Sequence, residues 1–251
     1  MQNNYPLFYK NPAVLNTRDH AKIAITQEID FSFAKETIII PVVVSEFMPL
    51  IRHYPIVFTQ SENPSAVAIM GIKQNENLFV NDGQWKADTY IPAYVRRYPF
   101  IFFDANQEDN KTQQFLAIDL EAKIVDLDNS TLAEDRFLFN KEGEQTDLLK
   151  AALTFCENFH REGMITQEFI KALKQHDLLQ SNSLNMKSPS GEEQKIDGFM
   201  LIDQAKYQAL SDDTLLEFQK KGWAALITLQ MASLQNWQLL FEAHIKASSN
   251  A

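Results

Sequence analysis

Groups that could do acid–base, nucleophilic or metal chemistry are few and scattered in this 251-residue chain. Its histidines are His20, His53, His160, His176 and His244, and none falls in a His-x-Asp pair or a His-Glu-x-x-His helix. The nearest approach to a metal pair is His160-Arg161-Glu162, but residues two apart on a helix diverge around its axis. The single cysteine, Cys156, lies beside Phe155 and near Phe159 on an amphipathic stretch, so it reads as a small buried hydrophobe rather than a nucleophile. Phosphate-binding glycine loops and the Gly-x-Ser-x-Gly elbow are absent from the sequence. The expectation is therefore no metal, no cofactor and no signature of catalysis.

Glu46 stands apart from the other carboxylates because it follows an apolar strand and opens a short helix. In that first turn it would complement the helix dipole. The functional alternative has it facing Arg52, Arg96 or Arg97 in a pocket, the seat of an enzyme without a familiar motif built around Glu46 and Arg97. Two corners of related sequence surround it, Arg52-His53-Tyr54-Pro55 and Arg96-Arg97-Tyr98-Pro99. An arginine at a helix end followed by a helix-stopping proline accounts for Arg52 and one of the Arg96-Arg97 pair. The second arginine is left over. With Trp85, Tyr90, Tyr94 and Tyr98, the pair would suit a groove for a peptide or an anionic group, since arginine forks carboxylates and aromatics supply contact area. The candidate binding residues are thus Glu46, Arg52, Tyr54, Trp85, Tyr90, Tyr94, Arg96, Arg97 and Tyr98.

The elements that must position these residues change character near the middle of the chain. Residues 1–145 read as strands and turns, residues 146–251 mostly as helices, and the whole as one α+β domain with the helical half packed on the β-rich half. Thr37–Val44 is a β-branched run interrupted by Pro41, as in a buried or edge strand. Ser45 can cap the helix containing Glu46, Phe47 and Leu50. Strands are expected at Ile56–Thr59 and Ala66–Ile72, and Asp82-Gly83 is a hairpin signal. The pattern of short helix, Tyr-Pro corner, strands and glycine turn occurs twice, which suggests an internal duplication. In the second half, Asp147–His160 reads as a helix broken by Gly163, and Thr166 can cap another running to His176. Residues 180–195 read as a mobile loop and Gly198–Ile202 as a short strand; Asp203 can cap a turn of helix, and Ser211–Asp213 cap the longest helix, from Thr214 to about Ile245.

Composition narrows the partners. A formal charge of −10 repels nucleic acid and anionic lipid unless basic residues cluster, and the only adjacent basic pairs are Arg96-Arg97 and Lys220-Lys221. No apolar stretch approaches a membrane span, and the N-terminus shows no secretory pattern. A cytoplasmic location is expected, with the cell surface by a non-classical route as the alternative. The 18 phenylalanines require a well-packed interior.

Several segments together resemble the bacterial SapC family. They are Tyr9-Lys10-Asn11-Pro12, Asp30-Phe31-Ser32-Phe33, Ser45-Glu46-Phe47, Tyr54–Phe58, Asn77–Val80, Tyr94–Phe100, Gly198-Phe199 with Asp203, and Gly222–Ile227. The resemblance implies a surface-layer-related label, and for some members an association with outer-membrane nutrient uptake loci. It brings no catalytic residues to carry over. The leading expectation is a non-enzymatic accessory or binding protein that recognises a peptide or protein partner, linked to nutrient uptake. A surface-layer or envelope component is the first alternative, and the enzyme around Glu46 and Arg97 the second.

Overall fold

A computed structural model describes residues 5–27, 30–106, 112–127, 132–187 and 193–249. The strands are β1 (Pro12–Val14), β2 (Ala24–Ile25), β3 (Ile39–Pro41), β4 (Ile56–Thr59), β5 (Ala66–Ile69) and β6 (Val80–Asn81). They continue with β7 (Gln84–Trp85), β8 (Phe100–Asn106), β9 (Thr112–Asp119), β10 (Val125–Asp126), β11 (Leu179–Lys187) and β12 (Glu193–Ile202). The helices are α1 (Phe47–Leu50), α2 (Ala93–Arg96), α3 (Asp147–Gln175), α4 (Gln204–Gln208), α5 (Asp212–Lys220), α6 (Trp223–Ser233) and α7 (Asn236–Ser249). The fold is α+β. Contacts divide the chain into two compact units, neither contiguous in sequence: residues up to Phe33 with Val95–Arg161, and Ala34–Tyr94 with residues from Glu162 onward.

In the first unit, β1, β9 and β8 form an antiparallel sheet in that order. Alternation along β8 sends Phe100 and Phe102 to one face and Ile101 and Phe103 to the other. The first face packs against Ile23, Ile118, Leu138 and, from α3, Leu149 and Cys156. Burial pushes the Cys156 thiol up to about 11, as its reading as a core residue requires.

The second unit is built on an antiparallel sheet of order β11-β12-β4-β5-β3. β4 and β5 are buried on both faces at Ile56, Val57, Phe58 and Ala66–Ile69, which explains their unbroken apolar sequences. Pro41 lies on β3, the edge strand, where a missing N–H is tolerated. Helix α6 is clamped to β4 by polar side chains. The Ser233 hydroxyl accepts the Ile56 N–H at 2.9 Å, and Gln230 Nε2 donates to the Ile56 carbonyl at 2.9 Å. From α7, Asn236 Nδ2 donates to the carbonyls of Ile51 at 2.7 Å and Tyr54 at 3.1 Å.

Four expectations are corrected. The expected long helix from Thr214 to Ile245 is three helices, because Gly222 adopts φ 74° between α5 and α6 and a second break precedes Asn236. The long helix is instead α3, which runs through Gly163. A mid-helix glycine costs about 1 kcal/mol, which the burial of Leu149, Cys156, Phe169 and Leu173 along α3 outweighs. Thr166 accordingly starts no helix; its hydroxyl donates back to the Glu162 carbonyl and accepts the Val44 N–H at 3.0 Å. Residues 180–187 are strand rather than loop, since the ladder from β11 to β12 supplies the pairing that their Ser- and Asn-rich side chains do not advertise. Part of that expected loop, residues 188–192, lies outside the described residues. Among the described residues no helix is long and apolar enough to cross a membrane.

Candidate functional site

The expected binding residues divide between the two units. Glu46, Arg52, Tyr54, Trp85, Tyr90 and Tyr94 belong to the second, and Arg96, Arg97 and Tyr98 to the first.

In the second unit, the chain enters a 3-10 turn at Val44–Glu46, and Glu46 rather than exposed Ser45 organises it. Glu46 Oε2 accepts the Val43 N–H at 3.1 Å, so the carboxylate caps its own turn. Its Oε1 accepts the Ala93 N–H at 2.6 Å and the Tyr90 hydroxyl at 3.1 Å. The carboxylate thus ties the first corner to the start of α2. Tyr90 in turn receives the Tyr54 hydroxyl on its carbonyl at 2.6 Å, while Trp85 Nε1 donates to the Tyr54 oxygen at 3.3 Å. The Phe79 ring meets the Tyr54 ring edge-on at 4.6 Å. The β6–β7 hairpin presents Phe79 and Trp85 here, its Asp82 and Gly83 at φ 48° and 73° as a tight primed turn needs.

These side chains serve one another. Tyr54 is 0% exposed, Glu46 4%, Tyr94 7% and Trp85 8%, so they form core and offer no contact area to a partner. Arg52 is exposed beyond α1, and it helps burial hold the His53 imidazole below its ordinary pKa.

Burial pushes the Tyr54 phenol from 10.0 up to about 12. The neutral phenol is favoured in the fold, so the associated stability is intact below pH 10 and is lost as pH rises through 12. A displacement of that size corresponds to roughly 2–3 kcal/mol. The Tyr54→Phe protein should be less stable than wild type at pH 8, by about 1–2 kcal/mol for the lost hydrogen bonds. That gap should close between pH 10 and 12, as read by urea unfolding at each pH.

In the first unit, the second corner builds a different environment. Arg96 lies over the Phe155 ring at 5.2 Å, and Arg97 over Phe159 at 4.7 Å and Tyr9 at 5.9 Å. The Tyr98 ring packs on Phe33 at 4.2 Å and meets Tyr9 at 5.3 Å and Phe8 at 6.3 Å, edge-on in the last two. Its hydroxyl donates to Asp119 Oδ2 at 2.9 Å. Burial first, then the Asp119 carboxylate, drive the Tyr98 phenol well above the ordinary tyrosine range. Asp119 is fully buried at the end of β9. It also accepts the backbone N–H groups of Asn11 at 2.8 Å, Lys10 at 3.1 Å and Glu121 at 3.3 Å.

Beside Tyr98 is a cavity of about 220 Å³, lined by Phe33, Ile124 and Ser32, with Lys10, Asp30, Glu121 and Lys123 among its walls. The Lys123 ammonium bonds Asp30 at 2.8 Å, and this contact, with the Ser32 bonds, holds the Asp30 carboxyl down to about 2. Lys10 and Glu121 have no side-chain partner among the described residues. An apolar cavity with one aromatic face and both charge signs at its edge can hold a single residue-sized group and orient polar atoms on either side.

Asp119 and the cavity escaped the sequence reading. Asp119 follows an apolar strand as a single carboxylate, and three of its four partners, Tyr98, Asn11 and Lys10, are 21 to 109 positions away. The segments Tyr9–Pro12, Asp30–Phe33 and Tyr94–Phe100, remote from one another in sequence, all reach this place. The two Tyr-Pro corners lead into different sheets, Pro55 into β4 and Pro99, after a cis peptide bond, into β8. Among the described residues no group of histidine, cysteine and carboxylate side chains is arranged to hold a metal.

Fold and site define an α+β protein in which a buried carboxylate organises each corner and an aromatic cavity adjoins one of them. The SapC family model matches residues 15–240, and the chain belongs to the SapC family. No curated protein and no solved structure matches it.

Proposed function

We propose that this protein is a non-enzymatic binding protein that recognises a peptide segment of a partner, and that the cavity beside Tyr98 receives one apolar or aromatic side chain of that segment. The observation that carries the reading is the cavity itself: Phe33, Tyr98 and Ile124 beside the free Lys10 and Glu121 side chains. Its volume of about 220 Å³ is that of one large residue. Rigid rings give contact area at little entropic cost, and the opposed charges can meet the amide dipoles or flanking charges of a peptide. The association with outer-membrane nutrient uptake loci that the resemblance implies for some members offers one setting for such a partner.

The test is a titration with acetylated, amidated tripeptides whose central residue varies, read by the Ile124 methyl resonance. Peptides centred on Phe, Tyr or Trp should shift it, and should not do so in a Ser32→Trp variant whose cavity is filled while its melting is unchanged. If no peptide moves the methyl, or the filled variant binds as wild type does, the cavity is not a recognition site.

A further inference from the structure

The second unit carries another surface that neither the family nor the cavity accounts for. Two adjoining depressions lie along the last three turns of α3 and share Lys171 and Gln175. One, of about 470 Å³, runs towards Asn63 and Pro64; the other, of about 520 Å³, runs towards Lys221 and Trp223 at the α5–α6 corner. Ile165, Glu168, Ala172 and Gln175 follow at spacings of three and four, so they form one stripe of α3. From Ile165 to Gln175 the stripe runs about 15 Å, at the 1.5 Å rise of a helix.

Two apolar side chains, Ile165 and Trp223, lie in the floor. Ile165 is 41% exposed, unusual for a β-branched residue, and Trp223 is held in place by the rings of Phe218 at 5.3 Å and Phe169 at 6.4 Å. The walls are basic. Lys171 has no hydrogen bond or ion pair among the described residues. Among the described residues Lys174 makes no ion pair, and its ammonium donates to the backbone carbonyl of Glu62 at 2.6 Å. Lys221 lies over the Trp223 ring at 4.3 Å, with Glu217 as its ion partner at 2.8 Å, and Lys220 is exposed beside it. The residues lining the two depressions include Lys171, Lys174 and Lys221 against Glu168, a local excess of two positive charges (three minus one) in a chain of net charge −10.

We propose that this groove docks an acidic segment of a partner protein, an extended or helical peptide whose carboxylates meet Lys171 and Lys174 while an apolar side chain rests on Ile165 and Trp223. A basic groove on an acidic protein steers an oppositely charged partner to one place, because the rest of the surface repels it. The site is in the other unit from the Tyr98 cavity, so it stands or falls independently of that reading.

The probe is a fluorescein-labelled peptide of sequence (Glu-Leu-Asp-Phe) repeated three times, titrated with the full chain and followed by anisotropy. Binding is expected, to weaken at least about tenfold in Lys171→Glu/Lys174→Glu. It should also weaken several-fold as ionic strength rises from about 0.05 to about 0.5 M. Both lysines are solvated, and an unchanged urea midpoint verifies that the variant is folded. Ile165→Ser should weaken the same peptide, which a purely electrostatic contact would not predict. The proposal is overturned by any of three results: no binding, equal binding by the lysine variant, or equal binding of an all-glutamate peptide. Preferential binding to phosphatidylserine vesicles over the peptide would instead make the patch a lipid contact and overturn it as well.

Discussion

Replacement of Asp119 by alanine is expected to be the most damaging single change outside the apolar core, costing on the order of 4–5 kcal/mol. The carboxylate is fully buried and accepts three backbone N–H groups and the Tyr98 hydroxyl. Its removal leaves four donors without their acceptor, and an unsatisfied buried donor carries its desolvation cost. The damage has a direction. The N–H groups of Lys10 and Asn11 lead into β1, whose Pro12 is opposite Asp119 in the ladder, so β1 should detach from β9 first. Tyr98 loses the anchor that holds its ring against Phe33, and the cavity beside it should collapse with it. Asp119→Asn should be intermediate, because its amide keeps one acceptor and turns a donor towards other donors. Urea unfolding followed by near-ultraviolet circular dichroism would measure both variants. An alanine variant within about 0.5 kcal/mol of wild type would show that Asp119 does not organise the unit.

Glu46→Ala should cost about 3–4 kcal/mol, lowering the melting temperature by roughly 10 °C. The structure commits Oε2 to Val43 and Oε1 to Ala93 and Tyr90, which makes the carboxylate the link between the 3-10 turn and α2. Tyr90 in turn accepts the Tyr54 hydroxyl, so loosening Glu46 should also loosen the Tyr54–Trp85 pair. Glu46→Gln separates structural from chemical roles. A glutamine oxygen can still accept from Ala93 and Tyr90, while its amide faces the Val43 N–H. That variant should lose about 1–2 kcal/mol, roughly the contribution of one charged hydrogen bond. If Glu46→Ala melts as wild type does, the carboxylate is not the structural link, and a role facing a ligand becomes the better account.

How well the sequence foretold these elements depended on range. Pro41 left a buried and an edge strand both open, and the sheet order places β3 at the edge, where its missing N–H is tolerated. Asp82-Gly83 marked a hairpin because positive φ is accessible there, and both residues adopt it. Asp203 and Ser211 marked helix starts through their own side chains, which accept the N–H groups of Lys206 and Thr214. Gly163 misled because tertiary burial along α3 outweighs its small local cost, and residues 180–187 misled because strand pairing is supplied by β12. Gln230, which the sequence reading did not single out, is fully buried, and its amide donates to the carbonyl of Ile56, 174 positions earlier.

The candidate site followed the same rule. Glu46, Tyr54, Trp85, Tyr90 and Tyr98 stood out by type, since buried carboxylates and amphipathic rings need partners wherever they are placed. Which partners they found was beyond one-dimensional reading. Tyr54 and Tyr98 share the motif Tyr-Pro, yet one phenol donates to a carbonyl in the second unit and the other to Asp119 in the first. The sequence by itself determined the absence of familiar catalytic motifs, the strand and cap signals and the acidic balance, because these are sums over residues or effects within a few bonds. Only the tertiary structure decided that Tyr54, Trp85 and Tyr94 became core, that one carboxylate at each corner is committed to backbone donors, and that a cavity and a basic groove stayed open. Those outcomes depend on hydrogen bonds and packing between segments up to 185 positions apart, where desolvation leaves each buried polar group no alternative to the partner the fold supplies.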